Sequence, residues 1–297
     1  MSDFVQQQNS ICDFATSDSW VILSPIEQSI KKKIEAVGTP LKDWDINIYR
    51  GVLTGCNEAF IIDSEKRDEI LANCQTEDER QRTAELIRPI LRGRDIKRYG
   101  YVDNGLYLIN THNGVRGRIP RIKIEDYPAV KAHLDQYWDR IATRADKGDT
   151  PYNLRNCAYL EDFSRPKIIW KRIGSILRFS FDNKGCLGLD STCFAAGEHI
   201  EYLCCVLNSL MGHYLLKDSP KTGTGDLLVS VQAIEPARVP YNAQYDRQLS
   251  ILLGMQIANP SDATEKEIND IVFTMYGLSP NEREYVTQYV KLSQQSL

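Results

Sequence analysis

At 297 residues, with 42% hydrophobic and 26% charged residues, the chain has the make-up of an ordinary soluble protein and is long enough to bury a sizeable core in one large or two ordinary domains. A net charge of −4 and a pI near 5.7 exclude a protein that is basic all over, though not a local basic face. The polar start, MSDFVQQQNS, is no signal peptide, and the most apolar helical pattern is broken by Asn208, Ser209 and His213, so a cytoplasmic protein without a membrane span is expected.

Residues up to about 20 lack periodicity and read as a linker or as the ragged start of a fragment. Ser24, Pro25, Ile26 and Glu27 form a capping box with proline at the first helical position, and Gly38 is placed to end a helix striped by Ile26, Ile30, Ile34 and Val37. Strand-like alternation of Ile46, Ile48 and Val52 precedes a turn at residues 54–57 and the apolar run 59–62. Two acidic helices are predicted from Ser64 and from Thr76, the second with a capping box, both finished by Pro89. Residues 90–101 then read as a basic connector, 106–109 as a buried strand and 113–118 as a glycine-rich basic loop. A helix over 127–143 is predicted to bury Val130, Leu134, Tyr137, Trp138 and Ile141.

Residues 161–181, EDFSRPKIIWKRIGSILRFSF, carry five cationic side chains against two carboxylates. Breakers at Pro166 and Gly174-Ser175 bound a first strand. In a second, Leu177, Phe179 and Phe181 should face a core while Arg178, Ser180 and Asp182 face out, which predicts a hairpin with a basic outer face. Beyond it come a strand near 192–194, a core helix over 199–216, a flexible basic loop at 221–225 and the apolar run 227–231. The last fifty residues read as helical, with Thr264 capping one helix, Gly277 stopping it and Ser279-Pro280 opening the next. The fold class expected is α+β: a mixed β-sheet with surrounding helices and a C-terminal helical hairpin.

Catalytic signatures do not emerge. The sequence has no Gly-x-Ser-x-Gly elbow, no His-Glu-x-x-His and no Walker loop, and His112, His133, His199 and His213 lack metal-ligand spacing. The eight cysteines include no Cys-x-x-Cys pair and are read as free thiols in a reducing compartment. Asp182-Asn183-Lys184 could be forced into a nuclease Asp-x-Lys, but turn chemistry explains it better. The cations at 92–98 suit a solvated face and a phosphate contact equally. For Arg116-Gly117-Arg118 and Lys171-Arg172 the binding reading gains, because glycine permits close approach and arginine forks match phosphates and guanine edges. Trp170 reads as core rather than a stacking platform.

Several strings together resemble the TaqI-like C-terminal specificity domain of adenine-specific DNA methyltransferases and type IIG restriction-modification enzymes. They are GTPL at 38–41, GVLTGCNEAFII at 51–62, ILRGRDIKRY at 90–99, RPKIIW at 165–170, LNS at 207–209, the run 227–240 and EINDIVFTMYGL at 267–278. The resemblance implies a domain that reads duplex DNA, while a separate methyltransferase domain, in cis or in trans, binds S-adenosylmethionine and carries an Asn/Asp-Pro-Pro-Tyr/Phe motif. That motif is missing, since Asn259-Pro260 continues Ser261-Asp262, so the chain is expected to be a C-terminal part or a separate specificity subunit with no cofactor of its own. The expected organisation is a linker and helix at 1–40, a DNA target-recognition domain at 41–245 and a helical unit at 246–297. The candidate DNA-binding residues are Arg92, Arg94, Arg98, Arg116, Arg118, Arg121, Lys171, Arg172, Arg178 and Lys221, with Asn57 and Asn113 as adenine readers. A protein-interaction module docking a methyltransferase, through the acidic helices or the C-terminal pair, is the alternative.

Overall fold

The computed structural model describes residues 23–295; the stretch up to about residue 20, expected as a linker, lies outside the described residues. Helix α1 (Pro25–Val37) starts as predicted, with Ser24 and Glu27 satisfying each other's backbone amides. Strands β1 (Thr39–Pro40) and β2 (Ile46–Arg50) lead to a single turn, α2 (Asn57–Phe60), and β3 (Ile61–Asp63). The acidic helices α3 (Ser64–Ala72) and α4 (Glu77–Leu86) are capped by the side chains of Asp63 and Thr76.

Helix α4 stops at Leu86 rather than at Pro89, and the start of the expected connector is strand β4 (Ile87–Leu91). Ile87, Ile90 and Leu91 are buried there, and pairing with β5 (Leu106–Ile109) outweighs the missing N–H of Pro89. The helix predicted over 127–143 is two, α5 (Pro128–Asp135) and α6 (Trp138–Thr143). The break at Gln136 and Tyr137 rotates the stripe, so that Ile141 stays buried while Trp138 is turned out to solvent.

Strands β6 (Lys167–Lys171), β7 (Ile173–Gly174), β8 (Phe179–Asp182), β9 (Leu187–Gly188) and β10 (Thr192–Gly197) follow. The predicted helix 199–216 is likewise split, into α7 (Ile200–Asn208) and α8 (Leu210–Leu215), because Ser209 is extended and its hydroxyl caps Gly212 N. Then come β11 (Leu227–Leu228), α9 (Val231–Ile234), β12 (Arg238–Val239) and helices α10 (Ala243–Ala258), α11 (Asp262–Met275) and α12 (Pro280–Gln295). Ser261, not Thr264, caps α11.

The architecture is α+β. An antiparallel sheet, β2-β10-β6-β8, stands between two hydrophobic cores. Ile168, Trp170, Phe179, Cys193 and Ala195 point to the core filled by α7, α8, α10 and α11, whereas Ile169, Phe194 and Ala196 point to the core under the mixed sheet β3-β5-β4-β9. Trp170 is core, its indole N–H donating to Val229 O at 2.9 Å.

The sheet therefore has no solvated basic face, contrary to the alternation drawn from 161–181. Strand β6 reads Ile-Ile-Trp because it is covered on both sides. Ser180 and Asp182 are buried and Phe181 is only half-buried, because residues 97–101 lie along the outer edge of β8: Tyr99 N donates to Phe179 O at 2.9 Å and Phe181 N to Tyr99 O at 2.7 Å. Lys167 is withdrawn from the surface altogether and pairs with Asp182, which also accepts from Tyr101 Oη (2.9 Å), Lys184 N (3.1 Å) and Cys186 N (3.0 Å). Asp182 thus serves the turn and the buried lysine, as the turn reading of Asp182-Asn183-Lys184 requires.

Candidate nucleic-acid interface

Cations survive at the tip of this sheet. There the end of β6, the 172–178 connection to β8, the loop after β4 and the 190–191 turn meet, joined by hydrogen bonds from Arg172 N to Ser191 O (2.9 Å) and from Gly93 N to Ser191 Oγ (3.2 Å). Lys171 is exposed, and no hydrogen bond or ion pair engages its ammonium among the described residues. Its stem lies across Gly93: a Cβ built on that glycine would stand 2.9 Å from Lys171 Cγ. The missing side chain leaves room for the lysine stem to lie flat against the loop.

The neighbouring loop separates structural from free arginines. Arg92 grips Asp95 with two hydrogen bonds of 3.0 Å, and Asn104 adds a third at 2.8 Å. Burial pushes the Asp95 carboxyl up, yet the Arg92 side chain and amide outweigh it and hold the group below its ordinary value. Arg98 is bonded to Asn208 O at 2.5 Å and to Glu265, and its guanidinium lies over the Tyr99 ring. Arg94 between them is exposed, its guanidinium unpaired among the described residues.

Among the described residues, Arg178 is half-exposed without a partner for its guanidinium, and Nε of Arg172 is buried with no hydrogen-bond partner. Lys221 is exposed beside a cleft of about 370 Å³ that Ile176, His213 and Tyr289 help to line. Burial holds the His213 imidazole neutral, its pKa pulled down to about 4.

A second cluster sits on the loop after β5. Val115 N donates to Ile119 O at 2.8 Å, closing a tight turn with Gly117 at φ 76°, which presents Arg116 exposed and, among the described residues, unpaired. Gly114 (φ 75°) is needed at the base, since a Cβ there would stand 2.5 Å from Ile119 O. Arg118 pairs with Glu161 and Arg121 with Asp149, each at 3.2 Å and each exposed. Asn113 spends its amide on the scaffold, donating to Asp149 (3.0 Å) and Asn156 (2.5 Å) and accepting from Asp149 N (2.9 Å).

Asn57 lies elsewhere, on α2, exposed, with its oxygen engaged by Thr54 Oγ1 at 2.5 Å. Behind it Arg144 is buried, bonding Thr54 O (2.6 Å) and Asn153 O (2.5 Å), and burial pulls its pKa down to about 10. A chain of interactions links the two clusters: Arg118 to Ala158 O, Tyr159 Oη to Arg50 O, Arg50 to Asp190 and Ser191 to Gly93. Arg50, whose side chain is 45% exposed, was not singled out from the sequence, because a lone arginine at a strand end carries no local signal.

Among the described residues no group of three or more His, Cys, Asp or Glu could hold a metal ion, and no helix is long and apolar enough to cross a membrane. Seven cysteines in this range are unpaired.

No protein-family model matches the sequence, and a search of curated proteins found no match. Solved structures do match. The type IIL restriction-modification enzyme MmeI, determined in complex with DNA, aligns with a TM-score of 0.59 at 10% identity over 88% of this chain and 37% of its own. The type IIG restriction endonuclease BpuSI aligns with a TM-score of 0.53 at 13% identity over 92% of this chain and 33% of its own. The chain thus has a fold found within type II restriction-modification enzymes and spans about a third of their length.

Proposed function

We propose that this chain binds duplex DNA and reads a short target sequence, as the specificity part of a restriction-modification enzyme of the adenine-methylating, TaqI-like kind. The observation that carries the reading is the set of cations unpaired among the described residues, Arg94, Lys171 and Arg178, gathered at one end of the central sheet in a chain whose net charge is −4. Cations without protein partners at a loop cluster, one of them given room by a glycine, are what phosphate binding needs, and neither phosphate binding nor base readout needs a nucleophile. The likeness to a restriction-modification enzyme solved with DNA supports the same partner. S-adenosylmethionine and the methyl transfer would belong to a methyltransferase domain in cis or in trans.

Arg94, Lys171, Arg178 and Arg116 are assigned to DNA directly. Arg118 and Arg121 are assigned to it by exchange, because their exposed ion pairs are worth only about 0–1 kcal/mol and a phosphate can replace the carboxylate. Arg92, Arg98 and Asn113 hold the loops that present the others. The test is duplex affinity against salt for the chain, alone and joined to its methyltransferase partner. Changing Arg94, Lys171 and Arg178 together to alanine should lower affinity roughly 10–100-fold and flatten the salt dependence by about 0.9 for each phosphate that is no longer neutralised. Binding that ignores both salt and these substitutions overturns the proposal.

A second reading, a module that docks a methyltransferase, is favoured by the exposed apolar side chains Ile251, Met255 and Ile257 on α10. The same triple substitution would leave docking intact.

A further inference from the structure

The loop that presents Arg94 ends in a strained residue. Tyr99 adopts φ 68°, a left-handed conformation that a side chain of this size rarely takes unless its surroundings impose it. Two backbone hydrogen bonds to β8 hold it, and its buried hydroxyl donates to Glu265 Oε2 at 2.7 Å. The other oxygen of the same carboxylate receives Arg98, which also donates to Asn208 O. Glu265 lies in the first turn of α11 and accepts as well from Gln256 Nε2 of α10 at 3.1 Å. Asn208, at the break between α7 and α8, clasps the start of β8 through Phe179 O (2.6 Å) and Phe179 N (3.1 Å). One carboxylate from the C-terminal helices therefore pins the far end of a loop whose near end is pinned by Arg92 and Asp95; Arg94 lies within the near pin, and Lys97, whose ammonium donates to Arg94 O at 3.4 Å, lies between the two.

We infer that Glu265 is a positioning residue for DNA binding: it fixes residues 92–99 in the shape that presents Arg94 and Lys97, although it belongs to a helix far away in sequence. The inference rests on the DNA reading above, and it makes a prediction opposite to simple electrostatics. If Glu265 only masked Arg98, then Glu265→Gln would free a cation, tightening DNA binding and steepening its salt dependence by about 0.9. As a positioning residue its loss instead lets the loop relax, so affinity should fall about 5–20-fold and the salt dependence should become shallower by the equivalent of about one to two phosphates.

The experiment compares wild type, Glu265→Gln and Ile271→Ala on a duplex containing the target, or on random duplex if the target is unidentified, at a temperature where circular dichroism shows all three folded. Ile271→Ala removes a buried side chain of the same helix without touching the loop and should keep the wild-type salt dependence. Amide exchange of Tyr99 and Phe181 is measured in parallel without DNA, and should speed up in Glu265→Gln but not in Ile271→Ala. Unchanged or tighter DNA binding by Glu265→Gln overturns the inference, and so does unchanged exchange. A wild type that shows no salt-dependent duplex binding overturns the DNA reading itself, and amide exchange then decides alone whether Glu265 holds the loop.

Discussion

Glu282 shows how a single carboxylate can be held ionised inside a packed joint. It accepts from Ser29 Oγ (2.7 Å), Lys33 Nζ (2.6 Å) and Ser279 N (2.7 Å), tying α12 to α1. Burial works to raise its pKa, but these hydrogen bonds win and bring it down to about 2. The folded-state pKa lies below the unfolded value, so the stabilisation is present in full above about pH 4.5 and fades as pH falls toward about 2. Glu282→Gln is expected to cost about 1–3 kcal/mol at neutral pH, with the gap to wild type closing across that window, as measured by urea denaturation at a series of pH values. The cations divide by the same kind of reasoning. Arg92 faces a carboxylate that is 3% exposed and stays bound to it, whereas Arg118 and Arg121 hold surface partners that a phosphate can replace.

Among the elements, the β6–β8 pair holds a buried ion pair. Lys167 and Asp182 face each other across the ladder with side chains that are both 0% exposed. Burial lowers the lysine pKa while the carboxylate opposes that shift. Removing one partner leaves a desolvated charge, so Asp182→Ala should destabilise the protein by about 3–5 kcal/mol, and adding Lys167→Met should recover much of it. Chemical denaturation of the single and double variants checks this; additive losses would show that the two side chains do not act as a pair. Local chemistry made the hairpin legible, through Pro166, Gly174 and the alternation after Ile176. Its surroundings were not legible, because the 97–101 segment that covers its edge and the sheet that covers its second face are distant in sequence.

Across the whole molecule, the C-terminal helices share their core with the central sheet. Leu249, Leu253, Ile268 and Val272 lie in one buried cluster with Ile168, Trp170 and Phe179, and α10 runs across positions 245 and 246, where the sequence suggested a boundary. A chain ending at Asn242 would expose that cluster and is expected to lose cooperative thermal unfolding, followed by circular dichroism. A sharp melt at the wild-type temperature would show instead that the first part folds alone.

The sequence by itself determined the local events: the capping box at Ser24, the cap at Thr76, the strand at Leu106–Ile109, the turn at Asp182 and the tight basic loop around Gly117. Each depends on side chains within a few residues of one another, whose chemistry is readable in order. Only the tertiary structure decided which cations are free. Arg94 and Arg98 look alike in the string RGRDIKR, but Arg98 meets Glu265 from 167 residues away while the Arg94 guanidinium meets no partner among the described residues. Lys167 and Lys171 bound the same strand, and one is sealed beside Asp182 while the other lies exposed across Gly93. Charge is written locally, but its availability depends on partners brought together by folding.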